Sequence, residues 1–210
     1  MVIDTTTSKL PDDQYFKVEQ PKDMIMLHFT AGSKASHAYN AWINQRIKIG
    51  TAYIVDKDGS VYEVFNPKYW AYHLGIKGKY SQSWKHDKRS IGIEIVNMGP
   101  LKLRGKDLCC WPNDFNQKFC SINDTHKYVE TSYRGYDFYE AFPQVQLDSV
   151  VKLVDRLSNQ FQIKKTLPPV EKQMECDLEF YDSWKGIAAH QNVRPDKFDI
   201  GPAFDWNILT

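Results

Sequence analysis

The sequence predicts a mixed α/β domain, a central β-sheet flanked by helices, built as a single domain with a long irregular insertion. Three observations predict it. Met24-Ile25-Met26-Leu27-His28-Phe29 is a short continuous apolar run of the kind buried on both faces of a sheet. Ser90-Ile91-Gly92-Ile93-Glu94-Ile95-Val96 places apolar residues at odd positions, as a strand does, with Gly92 and Glu94 projecting the other way. From Pro143 to about residue 161, Leu147, Val150, Val151, Val154, Leu157 and Phe161 form one helical stripe. Strands and helices interleaved in this order pack as a sheet with helices on its faces.

The elements follow in chain order. Residues 1–22 are polar, contain Pro11 and Pro21 and carry neither period, which predicts an extended lead-in to a domain over 23–210. After the first apolar run, Thr30-Ala31-Gly32 punctuates the strand. Ser36 can cap a helix from about 37 to 48 with Ala38, Ala41, Trp42 and Gln45 on successive turns, and Gly50 lies just past its end. Tyr53-Ile54-Val55 and Val61-Tyr62-Glu63-Val64 flank Asp56-Lys57-Asp58-Gly59, where Asp-Gly supplies the positive φ of a tight hairpin. An aromatic loop with Tyr69, Trp70, Tyr72 and His73 precedes the second strand run. Residues from about 99 to 142 show no sustained period and are expected to be an irregular surface elaboration or lid. Pro143 suits the first turn of the long helix because its missing N–H costs nothing there. Gly186-Ile187-Ala188-Ala189-His190 is a last short strand, ending in a histidine as the first does.

Composition narrows the function classes. The chain has 210 residues, and at roughly 150 per domain this is one elaborated domain. Lys and Arg total 27 against 26 for Asp and Glu, so the net charge of +1 gives no broad electrostatic attraction to nucleic acid or anionic membrane. No apolar run approaches the roughly 20 residues that span a bilayer, so membrane insertion is not expected. The first residues lack a basic stretch followed by an apolar one, which predicts synthesis in the cytoplasm without a signal peptide. Cys109, Cys110, Cys120 and Cys176 have no CxxC spacing and read as reduced thiols.

Two histidines at the ends of buried strands need partners, because an unpaired buried polar group is costly. A catalytic zinc site takes neutral imidazoles and a carboxylate as three protein ligands and leaves a fourth position for water. His28, His190 and Asp199, nine residues past His190, are of the right types. Either histidine taken alone reads rather as a hydrogen-bonded residue in a polar niche, since ligation needs a full set, so spacing alone leaves the metal open. Cys109, Cys110, Cys120 and His126 are the types of a structural zinc site, but adjacent cysteines are poor geometry for one ion. Trp84 and Trp111 are of a kind that stacks on sugar rings or peptide, and equally of a kind that fills a core. No P-loop, HExxH, GxSxG or dinucleotide-binding glycine pattern is present.

Five ordered stretches carry a family resemblance. MLHFTAG resembles the strand-ending His-x-Thr signature of the zinc-dependent N-acetylmuramoyl-L-alanine amidases of the bacteriophage-lysozyme and peptidoglycan-recognition type. AYIVDKDGSVYEV is similar to that family's central hairpin, AYHLG to its Trp-His-Ala-Gly segment and SIGIEIV to its Ser-Ile-Gly-Ile-Glu strand, and HQNVRPDKFDIGPAFDW is similar to its terminus. The likeness spans about residues 24–98 and 143–206. It implies one catalytic zinc ion held by His28, His190 and Asp199, with Glu94 as general base and Lys197 supporting the oxyanion. It further implies that Thr30 and His73 lie on the substrate groove, with Trp84 a third candidate there.

Thr51, Ala52, Tyr72 and Ile200 depart from the family pattern. Thr51 stands where some members have a catalytic tyrosine, which shifts weight onto Glu94. The implied reaction is hydrolysis of the amide between N-acetylmuramic acid and L-alanine in peptidoglycan or a muropeptide. A phage-type lytic endolysin acting on the cell wall is the expected role. A cytosolic muropeptide-recycling amidase and a non-catalytic peptidoglycan-binding module are the alternatives, and a third is an interaction scaffold whose contact surface is residues 99–142.

Overall fold

A computed structural model describes residues 1–210. Six strands form the main sheet: β1 (Ile3–Asp4), β2 (Met24–Phe29), β3 (Tyr53–Val55), β4 (Val61–Glu63), β5 (Ser90–Ile95) and, late in the chain, a strand at Gly186–Ala189. Between them the chain builds β6 (Pro100–Arg104), β7 (Asp107–Cys110), β8 (Gln117–Ser121), β9 (Tyr128–Tyr133) and β10 (Tyr136–Glu140), so the late strand is β11. The main sheet runs β1-β4-β3-β5-β2-β11, parallel except for the β3–β4 hairpin. No helix is long and apolar enough to cross a membrane.

Alternation along the central strands sorts the side chains into two layers. Ile25, Leu27 and Phe29 of β2 and Ile91, Ile93 and Ile95 of β5 enter the large core, where Val150, Leu153, Val154 and Leu157 of the Gln144–Phe161 helix cover them. Met24 and Met26 face the other way, into a smaller core with Leu74, Tyr181, Ala188 and Val193. His28 continues that second face at the point where β2 ends. Gln146, fully buried at the start of the long helix, donates from Nε2 to the carbonyls of Val55 (3.2 Å) and Val96 (2.9 Å), tying the helix to the ends of β3 and β5.

Several sequence expectations are met in place: β2, the hairpin, β5, β11 and the long helix fall on the predicted residues. Others are corrected. The lead-in is part of the domain, since Ile3–Asp4 pairs with Val61–Tyr62 at the sheet edge and Leu10 and Tyr15 enter the large core. The first helix spans Ala35–Gln45 rather than 37–48. Its first amide is taken by the Asp56 carboxylate (2.9 Å) from the hairpin, so Ser36 is not its cap, and Arg46 ends it in a left-handed conformation.

The largest correction concerns residues 99–142. They are not irregular but form a second, wholly antiparallel sheet in the order β8-β7-β6-β10-β9. Leu101, Leu108, Cys110 and Cys120 make a small core beneath it, and all four cysteines are free thiols. Gly99, at φ 73°, lets the chain cross from one sheet to the other, because a Cβ there would lie 2.5 Å from the Phe29 ring. Glu140 fastens the crossing: it accepts from the Met98 amide (2.5 Å), its backbone carbonyl accepts from the Asn97 amide side chain (3.2 Å), and it pairs with Lys57.

Replacing Gln146 by leucine leaves the buried Val96 carbonyl without its donor, at about 1–3 kcal/mol, while the Val55 carbonyl keeps the Val96 amide (2.9 Å). At about 2–4 °C per kcal/mol for a chain of this size, the expected result is a fall of about 2–12 °C in the thermal midpoint. A midpoint within a degree of wild type removes this tie from the account of the fold.

Candidate metal centre

Parallel pairing sets the site out. In the register of β2 with β5, Met24 lies beside Ser90, Met26 beside Gly92 and His28 beside Glu94, so these six residues share one face. β11 lies on the other side of β2 and delivers His190 at its end, where the chain turns into a short helix, His190–Val193. Asp199 returns from the following loop, its carbonyl accepting from the Gln191 amide (2.7 Å). The side-chain amide of Gln191 holds the next turn by accepting from the Gly201 amide (2.8 Å).

His28, His190 and Asp199 are buried, and their ligating atoms all lie within 4.8 Å of one another. His28 Nδ1 and His190 Nδ1 are 3.0 Å apart, and Asp199 Oδ2 is 3.3 Å from the first and 3.0 Å from the second. The hydrogen-bond partners behind the rings decide where the protons are. Ser90 Oγ donates to the carbonyl of His86 (2.5 Å), so it must accept from His73 Nε2 (3.0 Å). His73 Nδ1 is then a lone pair and accepts from His28 Nε2 (2.9 Å), which leaves His28 Nδ1 without a proton. His190 Nε2 faces the Leu74 carbonyl (2.8 Å) and must donate, which leaves its Nδ1 bare as well.

Two imidazole lone pairs and one carboxylate oxygen therefore converge with no donor among them. Mutual repulsion of three acceptors is relieved by a cation, and the His-His-carboxylate set with its remaining ring nitrogens tied to protein acceptors is the pattern of a metal site. Electrostatics keep the set in its ligating form. Burial pushes the His28 imidazole down to about 4 despite the pull of Asp199. His73 is held well below its ordinary value by burial. Burial works to raise the Asp199 carboxyl, and a proton on either histidine would draw it far below the usual carboxylate range.

The cluster forms part of the floor of a cleft of about 470 Å³ whose walls include Glu94, Trp111, Tyr136, Lys197 and Phe198. A second lobe of about 450 Å³ continues along the first helix past His37 and Trp42. Burial raises the Glu94 carboxyl to about 8, the negative Asp199 adds to the effect and Lys197 opposes it. Glu94 is thus a carboxyl whose proton affinity lies in the range useful to a general base.

The other sequence-predicted residues are placed as follows. Lys197 lines the cleft, as expected. His73 also borders it, but both ring nitrogens are spent on His28 and Ser90. Thr30 lies at the cleft with its hydroxyl accepting from the amides of Gly32 (3.1 Å) and Asn97 (3.2 Å), so it anchors the strand end. Trp84 is corrected: it does not line the cleft but packs on Tyr72, ring centroids 4.5 Å apart. Where His73 turns inward its neighbour Tyr72 turns away, and Trp84 goes with Tyr72. Trp111 does reach both lobes, its indole N–H donating to the Ala31 carbonyl (2.7 Å). Thr51 donates its hydroxyl to Tyr53 O (2.9 Å) and is buried beneath the site.

Ser90 was missed by the sequence reading, although its place two and four residues before Gly92 and Glu94 puts it on their face. Gly92 leaves the space that His73 needs, since a Cβ there would lie 3.0 Å from His73 Nδ1 and 2.8 Å from Thr51 Cγ2.

An α/β domain that sets three proton-free acceptors beside a carboxylate on a cleft floor has the layout of a metal-assisted hydrolase. Residues 18–202 match the family model of N-acetylmuramoyl-L-alanine amidase, and the chain belongs to that family. No curated protein sequence matches it. Among solved structures the chain is similar to the N-acetylmuramyl-L-alanine amidase AmiD from E. coli, in complex with anhydro-N-acetylmuramic acid-L-Ala-D-gamma-Glu-L-Lys. The identity is 16% and the TM-score 0.53, over 92% of this chain and 58% of that one. It is also similar to the endolysin LysCS from Clostridium intestinale URNW, at 16% identity and a TM-score of 0.53, over 99% and 91% of the two chains. AmpD matches at 15% identity and a TM-score of 0.50, over 95% and 97%. At these identities the likeness is one of fold.

Ser90→Ala removes the acceptor that fixes the His73 tautomer, and through it the bare Nδ1 of His28. The expected outcome is a loss of about 10–100-fold in metal affinity, read by competition with a chromophoric chelator, with the metal-free chain still folded by its far-UV spectrum. Wild-type affinity in this variant contradicts the proton assignment.

Proposed function

We propose that the chain is a zinc amidase that cleaves the amide between the lactyl group of N-acetylmuramic acid and the first L-alanine of the peptidoglycan stem peptide, in a phage-type lytic role. The observation that carries this is the convergence of His28, His190 and Asp199 beside Glu94 at an open cleft. Two neutral imidazoles and one carboxylate suit zinc, and three protein atoms facing open space match a catalytic rather than a structural zinc site. Zinc bound there would acidify a water and polarise the scissile carbonyl.

The chain's own residues divide the remaining work. Glu94 takes the proton of the attacking water as its oxygen bonds to the carbonyl carbon, and returns it to the alanine nitrogen as the C–N bond breaks. The Lys197 ammonium offsets the negative charge that develops on the carbonyl oxygen. His73 and Ser90 hold His28 in its ligating tautomer. The family match over residues 18–202 supports the substrate class. The lytic role rests on the likeness in fold to the endolysin LysCS, which extends over 99% of this chain.

Purified chain incubated with intact sacculi and with soluble anhydro-muropeptides, with and without chelator, tests the reading. Chelator-sensitive solubilisation of sacculi is expected; cleavage of soluble fragments alone assigns the recycling role, and binding by zinc-replete chain without cleavage assigns a recognition module. Glu94→Gln should retain zinc and lose about 10²–10⁴-fold in turnover, whereas His28→Ala should lose both. Unchanged turnover in the glutamine variant takes Glu94 out of the mechanism.

A pH dependence follows in the metal-free chain. Glu94 is raised by burial from its ordinary 4.5 to about 8, so the folded chain keeps a proton that the unfolded chain releases. The stability tied to that proton is whole below pH 4.5 and is lost as pH rises through about 8. Urea midpoints should therefore show the glutamine variant gaining on wild type between pH 5 and pH 8, roughly the window of that shift. A constant gap denies the raised carboxyl.

A further inference from the structure

The turn between β9 and β10 is built against its own preference. Arg134 and Gly135 both have positive φ, 47° and 84°. A two-residue hairpin turn of that kind favours Asn-Gly or Asp-Gly, because a long side chain gains nothing in the left-handed region and its Cβ is crowded there. The guanidinium accounts for the residue. Its Nη1 donates to the backbone carbonyls of Pro195 and Lys197. Its Cζ lies over the Phe198 ring, 5.8 Å from the centroid, and 5.2 Å from the centroid of Tyr133, and Tyr136 meets Phe198 edge-on at 5.6 Å.

The segment so gripped is the loop that carries both Lys197 and Asp199. Its other ties are sparse. The Lys197 amide donates to the Arg194 carbonyl, and Arg194 and Asp196 pair with each other within the loop. Pro195 and Asp196 are exposed. At its two ends the loop is tied to the domain, where Arg194 Nη1 donates to the Leu74 carbonyl (3.5 Å) and the Gln191 amide holds the Asp199 carbonyl. Between Arg194 and Asp199 the second sheet, through Arg134, supplies the hydrogen bonds that fix the loop from outside itself.

We propose that Arg134 is a positioning residue for the cleft: by clamping the Pro195 and Lys197 carbonyls and stacking on Phe198, it sets the height of the Asp199 carboxylate and the Lys197 ammonium over the His28–His190 pair. The second sheet is then a working wall of the site, coupled to its chemistry through one hairpin tip. The effect on turnover rests on the amidase reading; the effects on loop order and cation affinity do not.

Full-length Arg134→Asn and Arg134→Lys test this. Asparagine suits the turn and removes the clamp, so the thermal midpoint of the metal-free chain should hold or rise. Amide hydrogen exchange across residues 194–200 should quicken, and zinc affinity against a chelator should drop about tenfold or more. On a muropeptide, kcat should fall about tenfold or more, as misplaced catalytic groups require, while KM stays within about threefold. Lysine, reaching one carbonyl, should give intermediate values, and added ethylguanidinium should restore part of the loss in the asparagine variant. Wild-type exchange and wild-type zinc affinity in both variants overturn the proposal. If no form of the chain hydrolyses a muropeptide, the amidase reading fails by itself, and exchange and zinc affinity still decide the clamp.

Discussion

Three lone pairs aimed at one point are the constraint on which the rest of the site depends. Two imidazole nitrogens and a carboxylate oxygen within about 3 Å of each other repel unless something positive sits among them. The fold prevents the easier escape, in which a ring turns over. His190 cannot turn without abandoning the Leu74 carbonyl, and His28 cannot without leaving His73. Behind His73 stands Ser90, whose own proton is committed to the His86 carbonyl. A chain of single-donor decisions thus runs from a backbone carbonyl at the base of β5 to the cation-facing nitrogen at the tip of β2.

That chain explains the local sequence of β5. Its outward face is used residue by residue: the serine ends the relay, the glycine leaves the space into which His73 fits, and the glutamate faces the cleft. Its inward face is three isoleucines that bind the strand to the large core. A rigid strand, packed on one side and chemically committed on the other, places His28 and Glu94 beside each other with no freedom to drift. Asp199 and Lys197 come instead from a loop, so their placement has to be imposed from outside. The two halves of the site are therefore held by different means.

Legibility in the sequence follows the same division. The central strands and the long helix were readable because each has one buried face and a period to match, down to the last residue of β2. The His-His-Asp set was readable only through its likeness to a family, since histidines 162 residues apart reveal no geometry by themselves. The second sheet was not readable. Its strands are four to six residues long, one face is wet, and aromatic and charged residues such as Tyr136, Lys102 and Arg104 interrupt the alternation. In hindsight Gly105 and Gly135, both at positive φ, mark its hairpins. Trp84 was misplaced because residue type carried no information on which side of the Tyr72-His73 step it would follow. Arg134 had no signal at all, because its partners are backbone carbonyls and any residue offers those.

Charge joins the proposed metal to the proposed base. In the metal-free chain Asp199 is already ionised among the histidines, and burial beside that negative charge makes a second carboxylate unfavourable, which is why Glu94 is raised to about 8. A divalent cation on the set inverts the sign: two positive charges against the one of Asp199 leave a net positive centre, next to which an ionised Glu94 is stabilised. Lys197 then remains as the one positive side chain at the cleft available for an oxygen that becomes negative. On this reading Glu94 is a weak acid holding its proton while the site is empty of metal and a free base once it is filled. Loading the cation and arming the base are a single electrostatic event, and a chain lacking any one of His28, His190 and Asp199 would lose both together.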